Sequence, residues 1–351
     1  MLSQVHYKDY FRGEVLDDYL ADGWFRSCQC MYRQQIICLN DGLYSPVRIR
    51  LELPNYEFRR SLRKLNKKVK NHFRVEIREG GFPGEIDKEF LYTHFKKRLS
   101  GYLSPTLQRY LWGENTSNVF ETYEVAIYDK DELVAISFFD VGEESVASIL
   151  GLYHEDYEKY SLGFYTMLAE IEFGKKEGYR YYYPGYVIPG YPKFDYKLRI
   201  GEVDHFRPKE DIWVPFTKLD LNELPVNVLL QKCDEFSQQL TAANISHEIL
   251  HYPLFDKGIL NNTPELEGMI NPVYVKVHTK NEDFELIVDY HLENERFELM
   301  RYQSFYHPVV QQFNQQKLKK YDTFPNILIR QKRLYQCEDS EEMINWLMEK
   351  S

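Results

Sequence analysis

Three apolar runs, 122–128 (TYEVAIY), 132–140 (ELVAISFFD) and 146–153 (VASILGLY), follow one another with only short acidic breaks between them. The breaks, Asp129-Lys130-Asp131 and Gly142-Glu143-Glu144, are turn-like, so the runs are expected to pair as an antiparallel meander. An amphipathic helix is predicted from Ser161 to about Lys176, with Ser161 placed to cap it and Gly178 to end it. Residues 179–183 return as a Tyr-rich strand.

Strand–strand–strand–helix–strand in this order is the core layout of acetyltransferase-like folds. Upstream, residues 14–21 read as a short helix ending near Gly23, and 30–38 and 46–53 as strands. From Ser61 a helix carries Leu62, Leu65 and Val69 on one face. Gly80–Gly84 (GGFPG) reads as a loop, and a helix follows from about Asp87 to Leu99. After Pro215 the pattern restarts with a helix at 226–241, whose Leu229, Cys233, Phe236 and Leu240 share a face. Strands at 273–278, 284–290 and 297–302 follow, with turns at Lys280-Asn281 and Glu293-Asn294, then a terminal helix at 340–349. The expected fold class is α/β (α+β): an acetyltransferase-like mixed, largely antiparallel sheet with flanking helices, plus an appended C-terminal α+β domain. The expected divisions are 1–110, 111–214 for the catalytic region, and 215–351 for the appended domain.

A formal net charge of -10 argues against nonspecific coating of nucleic acid, though it leaves room for a local basic groove. No apolar run reaches the length of a membrane span, and MLSQVHYKDYFRGEV has no apolar signal-peptide core. The five cysteines, Cys28, Cys30, Cys38, Cys233 and Cys337, do not form a disulfide framework, so a cytoplasmic protein with free thiols is expected. The 29 Tyr and 22 Phe fit surfaces where rings stack and hydroxyls make hydrogen bonds, or a plain compositional bias.

The most informative stretch is SLGFYTMLAEI at 161–171 followed by YYYPGYVIPGYPKFDYK at 181–197. It resembles the catalytic-region signature of the arginyl-tRNA–protein transferases and the related bacterial leucyl transferases. That pattern is approximately SLG-x-Y…E-I, then G-x-x-Y-Y-Y-L-G-Y-x-I-x-x-C-P-K-M-x-Y-K. Ser161, Leu162, Gly163, Tyr165, Glu170, Ile171, Gly178, Tyr181, Tyr182, Tyr183, Gly185, Tyr186, Ile188, Pro192, Lys193, Tyr196 and Lys197 fall on it. Residues 19–27 (YLADGWFRS) look like the family's G-W-R-R-S segment, Pro46-Val47-Arg48 like its P-x-R strand, and 61–67 like its basic helix. Asp140 and Ser148 stand where the family has Asp and Ser. The resemblance covers roughly residues 10–210. Departures are Pro184 for Leu, Tyr191 for Cys and Phe194 for Met. Of the family's N-terminal cysteine set only Cys38 is kept, with Asp41 and Tyr44 where others are expected. Cys28-Gln29-Cys30 is not at the family's spacing and lacks a fourth ligand, so neither a metal nor another cofactor is expected.

The resemblance implies transfer of an amino acid, arginine favoured over leucine, from charged tRNA to the α-amine of proteins with acidic N-termini. Such aminolysis needs positioning, a base for the amine proton and a donor near the developing oxyanion, with no nucleophilic Ser or Cys. The implied partners are aminoacyl-tRNA and acceptor proteins beginning with Asp or Glu, and no membrane. By resemblance Asp140 or Glu170 is the carboxylate that handles the amine proton, and Tyr186 stacks or donates a hydrogen bond, as does Tyr196. Lys193 and Lys197 are candidates for binding tRNA's terminal phosphate or the acceptor's carboxylate, and Ser161 and Gly163 of the signature are further candidates for binding substrate or tRNA. Arg63, Lys64 and Lys67 fit contact with the tRNA body, and Arg48 joins either surface; an ordinary solvated face explains such a charge run equally well.

Three rivals compete. A coenzyme A-dependent N-acyltransferase would use residues 160–165 as its pyrophosphate loop, but the bulky Tyr165 and apolar-edged Tyr160 crowd it. A noncatalytic descendant would bind tRNA or N-termini without transfer. His247-Glu248-Ile249-Leu250-His251 matches the H-E-x-x-H zinc-protease motif, with Glu265 or Glu267 as a third ligand, but alternates as a strand does, which would turn Glu248 away from both histidines.

Overall fold

The three apolar runs pair as the meander expected, in a computed structural model that describes residues 3–39, 42–80, 84–97, 104–113, 117–255, 271–279, 283–306 and 320–350. The strands Thr122–Asp129, Glu132–Val141 and Ser145–Tyr153 are antiparallel neighbours. The helix Leu162–Glu177 then carries the chain over to Tyr181–Val187, which pairs parallel to Ser145–Tyr153. The other pairings of this sheet are antiparallel, so the mixed, largely antiparallel α+β expectation holds.

The full sheet has eight strands, in the order Ile212–Pro215, Asp204–Arg207, Val47–Glu52, Tyr181–Val187, Ser145–Tyr153, Glu132–Val141, Thr122–Asp129, Arg74–Glu79. Alternation along Glu132–Val141 divides its work. Ile136 and Phe138 join Leu91, Leu107, Leu111 and Leu152 in a core under the helices Ile86–Lys96 and Leu107–Trp112. Ser137 and Phe139 face the opposite way, where Ser137 meets Glu170 and Phe139 meets Phe173 of Leu162–Glu177. Tyr165, Leu168 and Ile171 of that helix are fully buried, and an apolar side chain such as Leu168 or Ile171 contributes about 1.5–3 kcal/mol. Ser161 holds the N-cap position but in a left-handed conformation (φ 55°), and its side chain makes no capping bond, which corrects the expected cap.

Two compact units emerge. One consists of Gln4–Arg33 and Val47–Leu219; the other of Met1–Ser3, Gln34–Pro46 and Asp220–Ser351. In the second, strands Asp322–Thr323, His247–His251, Val273–Val277, Glu285–His291, Arg296–Phe305 and Ile327–Cys337 lie side by side in that order. The helices Pro225–Ala242 and Ser340–Lys350 bury Leu229, Cys233, Phe236, Leu240, Met343 and Leu347 in a core with Val275, Val288 and Leu299 of this sheet. A short hairpin, Ile37–Leu39 with Gly42–Tyr44, belongs to the same unit, and Ser45 Oγ accepts from the backbone N–H of Val226 at 3.0 Å. The expected turn at Lys280-Asn281, residues 81–83 of the Gly80–Gly84 loop, Leu99, Asp41, Glu265 and Glu267 lie outside the described residues. Among the described residues no helix is long and apolar enough to cross a membrane.

Candidate active site

Tyr182-Tyr183-Pro184-Gly185-Tyr186 interrupts the pairing of its strand with Val47–Glu52: the register shifts between Tyr182 and Gly185. Proline has no N–H to give a ladder, and an irregularity of this kind re-aims the side chains around it. Gly185 adopts φ +91°, and a Cβ there would stand 3.3 Å from Lys197 Nζ. The break therefore makes room for Lys197, which arrives on the 3-10 segment Pro192–Ile200 and donates from Nζ to the Tyr186 carbonyl at 3.1 Å.

Tyr186 is the hub. Its ring centroid lies 5.1 Å from Lys197 Nζ, 4.8 Å from the Arg48 guanidinium, 5.7 Å from the Phe25 ring and 5.4 Å from the Phe194 ring. Arg48, 7% exposed, also lies over Phe25 at 3.7 Å. Its Nε donates to the Gly23 carbonyl at 3.2 Å, while Nη1 and Nη2 are buried without a partner. Gly23 is fixed by sterics: with φ +75°, an added Cβ would meet the Phe206 ring at 2.4 Å. Burial pulls the Arg48 pKa down to about 10, still charged at neutral pH. Burial, reinforced by the Arg48 charge, pulls Lys197 to about 7, with Glu170 opposing.

Glu170 lies inside the unit, 0% exposed, between the helix and the sheet. Ser137 Oγ donates to its Oε1 at 2.5 Å and Tyr182 Oη to its Oε2 at 2.7 Å. Burial lifts its carboxyl to about 7 against the pull of these hydroxyls and of Lys197. Glu170 is thus not an exposed helix residue. Asp140 is also buried, but its company differs: Oδ1 accepts from Arg26 Nη1 at 2.8 Å and from Thr122 Oγ1 at 2.6 Å. Arg26 further donates to the carbonyls of Leu111 and Cys28, both at 2.7 Å, and lies over Phe120 at 4.3 Å.

The structure thus brings Arg48, Tyr186, Lys197 and Glu170 into one neighbourhood. Tyr196, 41% exposed, and Lys193, exposed, sit on the same 3-10 segment as Lys197. Ser161 is exposed at the start of the helix, and Gly163 packs against Tyr153, whose ring a Cβ would meet at 2.8 Å. Arg63, Lys64 and Lys67 are exposed on the helix Arg60–His72; Arg63 Nη1 donates to the Phe58 carbonyl at 2.6 Å. Phe25, Arg26, Ser137 and Tyr182 were not singled out from sequence as site residues. Arg26 and Phe25 lie in the G-W-F-R-S segment, which was the available signal; Ser137 offered none beyond its place in an apolar strand.

The rivals meet specific obstacles. Tyr165 is fully buried, so the chain fills with a ring the place where a pyrophosphate loop needs backbone exposure. His247–His251 is a strand, as its alternation predicted, and Glu248 turns to Lys276 (3.5 Å) and His278 (3.2 Å) while His247 meets Ser237 Oγ at 2.7 Å. Among the described residues no His, Cys, Asp and Glu cluster could hold a metal ion, and Cys28, Cys30, Cys233 and Cys337 are free thiols.

Comparison with known proteins bears on the same region. The family model described as arginine-tRNA-protein transferase, C terminus, matches residues 76–207. An aspartate/glutamate leucyltransferase of Leptospira interrogans is 25% identical over 204 residues, 56% of this chain and 77% of its own length. One from Campylobacter jejuni is 29% identical over 204 residues, 56% of this chain and 82% of its own. Arginyl-tRNA--protein transferase 1 of Saccharomyces cerevisiae is 31% identical over 94 residues, 27% of this chain and 18% of its own.

Proposed function

We propose that this chain, a member of the arginyl-tRNA–protein transferase family and an aminoacyltransferase, moves leucine from charged tRNA to the α-amine of proteins whose first residue is Asp or Glu. The observation that carries the reading is the cationic neighbourhood of buried Arg48 and half-buried Lys197 around Tyr186, of which Tyr186 and Lys197 fall within the matched residues 76–207. A buried guanidinium with two unpaired N–H edges is a receptor for a carboxylate. Arginine was the donor favoured on resemblance; two considerations support leucine. The relatives that align over 204 residues are leucyl transferases by name. An arginyl donor also calls for an acid to hold its guanidinium, and among the described residues each buried acid of this unit already has a partner, Asp140 through Oδ1 alone. Glu124 holds Lys88 and Arg78, Asp140 holds Arg26, and Glu170 takes two hydroxyls.

Within this reading the carboxylates divide. Glu170 stands beside the reacting groups and balances the charge on Lys197, whereas Asp140 ties the Phe25–Ser27 strand to the sheet through Arg26. The solvent-facing Lys64 and Lys67 are the contacts to the tRNA body, and Lys193 reaches its terminal phosphate. The reaction needs no nucleophilic thiol, because the ester on the tRNA is already activated. Its place is the cytoplasm, where charged tRNA is supplied, and its products are proteins marked at their N-termini for degradation. The test is transfer of labelled leucine or arginine from charged tRNA to peptides beginning with Asp, Glu, Asn or Ala. Incorporation of leucine into Asp and Glu peptides is expected. Incorporation of arginine instead overturns the donor, and none from either tRNA overturns the activity.

A further inference from the structure

Resting on the transferase reading, we propose that Arg48 and Lys197 share the recognition of an acidic acceptor. Arg48 takes the carboxylate of the acceptor's first side chain, and Lys197, relieved of an unpaired cation beside it, takes the proton of the acceptor's amine. The acidic side chain then promotes the chemistry as well as the binding.

Arg48 supplies the first half. Its guanidinium lies over two rings, Phe25 and Tyr186, which set its plane, and Nε is fixed by the Gly23 carbonyl. Only Nη1 and Nη2 are left, buried and unpartnered. A guanidinium does not shed its proton in a protein, so this buried charge is met by an anion or left at a high cost. Two N–H groups on one planar head suit the two oxygens of a carboxylate.

Lys197 supplies the second half. The groups that face it are Arg48 from Val47–Glu52, Tyr186 and its carbonyl from Tyr181–Val187, and Glu170 from Leu162–Glu177. Arg48 repels its protonated form and Glu170 favours it; with burial added, Lys197 is held near neutrality. An anion on Arg48 cancels the repulsion and leaves the attraction of Glu170. The affinity of Lys197 for a proton then rises toward that of a free α-amine, about 7.7–8.0. A substrate with Asn in place of Asp fills the same volume without this effect.

The step balances as follows. The acceptor's ammonium group gives one proton to the Lys197 lone pair, and the neutral amine nitrogen attacks the ester carbonyl carbon of the aminoacyl-tRNA. A C–N bond forms and the C–O bond to the ribose breaks. The ribose oxygen leaves with the proton from Lys197, and the second amine proton goes to solvent.

The test uses the full chain with saturating charged tRNA and matched Asp- and Asn-peptides. Wild type is expected to prefer Asp in both KM and kcat. Arg48→Met keeps the apolar stem and removes the cation. It should raise KM for the Asp-peptide roughly 10- to 100-fold, the size expected for hydrogen bonds to a charged group, and bring the Asp-to-Asn ratio of kcat/KM to about unity. The acid limb of the pH profile should move upward, because Lys197 loses its repelling neighbour. Arg48→Lys, which keeps a charge on a similar stem, should retain part of the Asp preference if the methionine variant does not fold. Lys197→Gln should lower kcat and erase that acid limb while leaving the KM for the Asp-peptide within about threefold. An Asp-to-Asn ratio unchanged in Arg48→Met and Arg48→Lys overturns the carboxylate assignment. Weaker binding of charged tRNA with the ratio intact assigns Arg48 to a tRNA phosphate and overturns it too. An Asp preference in KM alone, with kcat equal for both peptides, overturns the coupling. A wild-type chain that transfers to no peptide refutes the transferase reading itself, a separate result.

Discussion

Asp140→Asn separates a structural carboxylate from a catalytic one. The side chains of Arg26 and Asp140 are 4% and 1% exposed and meet at 2.8 Å. Asparagine keeps the shape and the contact with Thr122 but removes the charge that offsets Arg26. Arg26 would keep its bonds to the Leu111 and Cys28 carbonyls, so the cation stays buried and cannot swing out to water. Removing one partner of a buried pair costs about 3–5 kcal/mol, whereas replacing both partners by apolar groups is often nearly neutral. For a unit of 150–250 residues, each kcal/mol lowers Tm by about 2–4 °C, so a fall of roughly 6–20 °C is expected. Calorimetry and urea unfolding would be run on wild type, Asp140→Asn, Arg26→Met and the double variant. Each single variant should be strongly destabilised and the double variant less so than their sum. Transfer measured well below the melting temperature should fall by less than about tenfold. A variant that melts within about 1 kcal/mol of wild type while transfer drops a hundredfold would refute this reasoning and return Asp140 to the chemistry.

Glu170 has its carboxyl raised to about 7 in the folded chain, against 4.5 for an unperturbed one, so it favours folding while protonated. Stability from this group is complete below about 4.5 and is lost as pH rises through 7. Glu170→Gln should flatten the decline in unfolding free energy between pH 5 and 8, measured by urea titration; an unchanged slope would contradict the burial argument. Exchanging Lys64 and Lys67 for Ala should weaken tRNA binding and reduce the slope of log affinity against log salt by roughly 0.7–0.9 for each phosphate the helix no longer neutralises. Equal slopes in filter binding would make that helix an ordinary solvated face.

Much of the sheet could be read directly because its order coincides with chain order. Val125–Ile127 and Val134–Ile136 are continuous apolar stretches, buried on both faces, in runs separated by a few turn residues, and pairing between neighbours needs only local information. The non-local pairings carried no such mark. Arg74–Glu79 alternates charge with apolar residues at an edge, and Val47–Glu52 is inserted beside Tyr181–Val187, more than a hundred residues away. Ile327–Cys337 is rich in Arg, Lys and Gln, so its pattern does not look like a strand, yet it pairs along Arg296–Phe305. The site divided in the same way. Tyr186, Lys193, Tyr196 and Lys197 were legible because they lie in one short segment. Arg26 was not singled out, because its function depends on an aspartate far along the chain.

The segment Gln34–Pro46 sits in sequence inside one unit and belongs in space to the other. Ile36, made early, is fully buried in a core whose remaining members begin at Val226. During synthesis on the ribosome that side chain and its hairpin are left uncovered until nearly two hundred further residues have been added. The C-terminal unit therefore cannot be cut away as a cassette at Leu219. A chain ending there carries an orphaned hairpin in its middle, and a clean excision has to remove or re-dress Gln34–Pro46 as well.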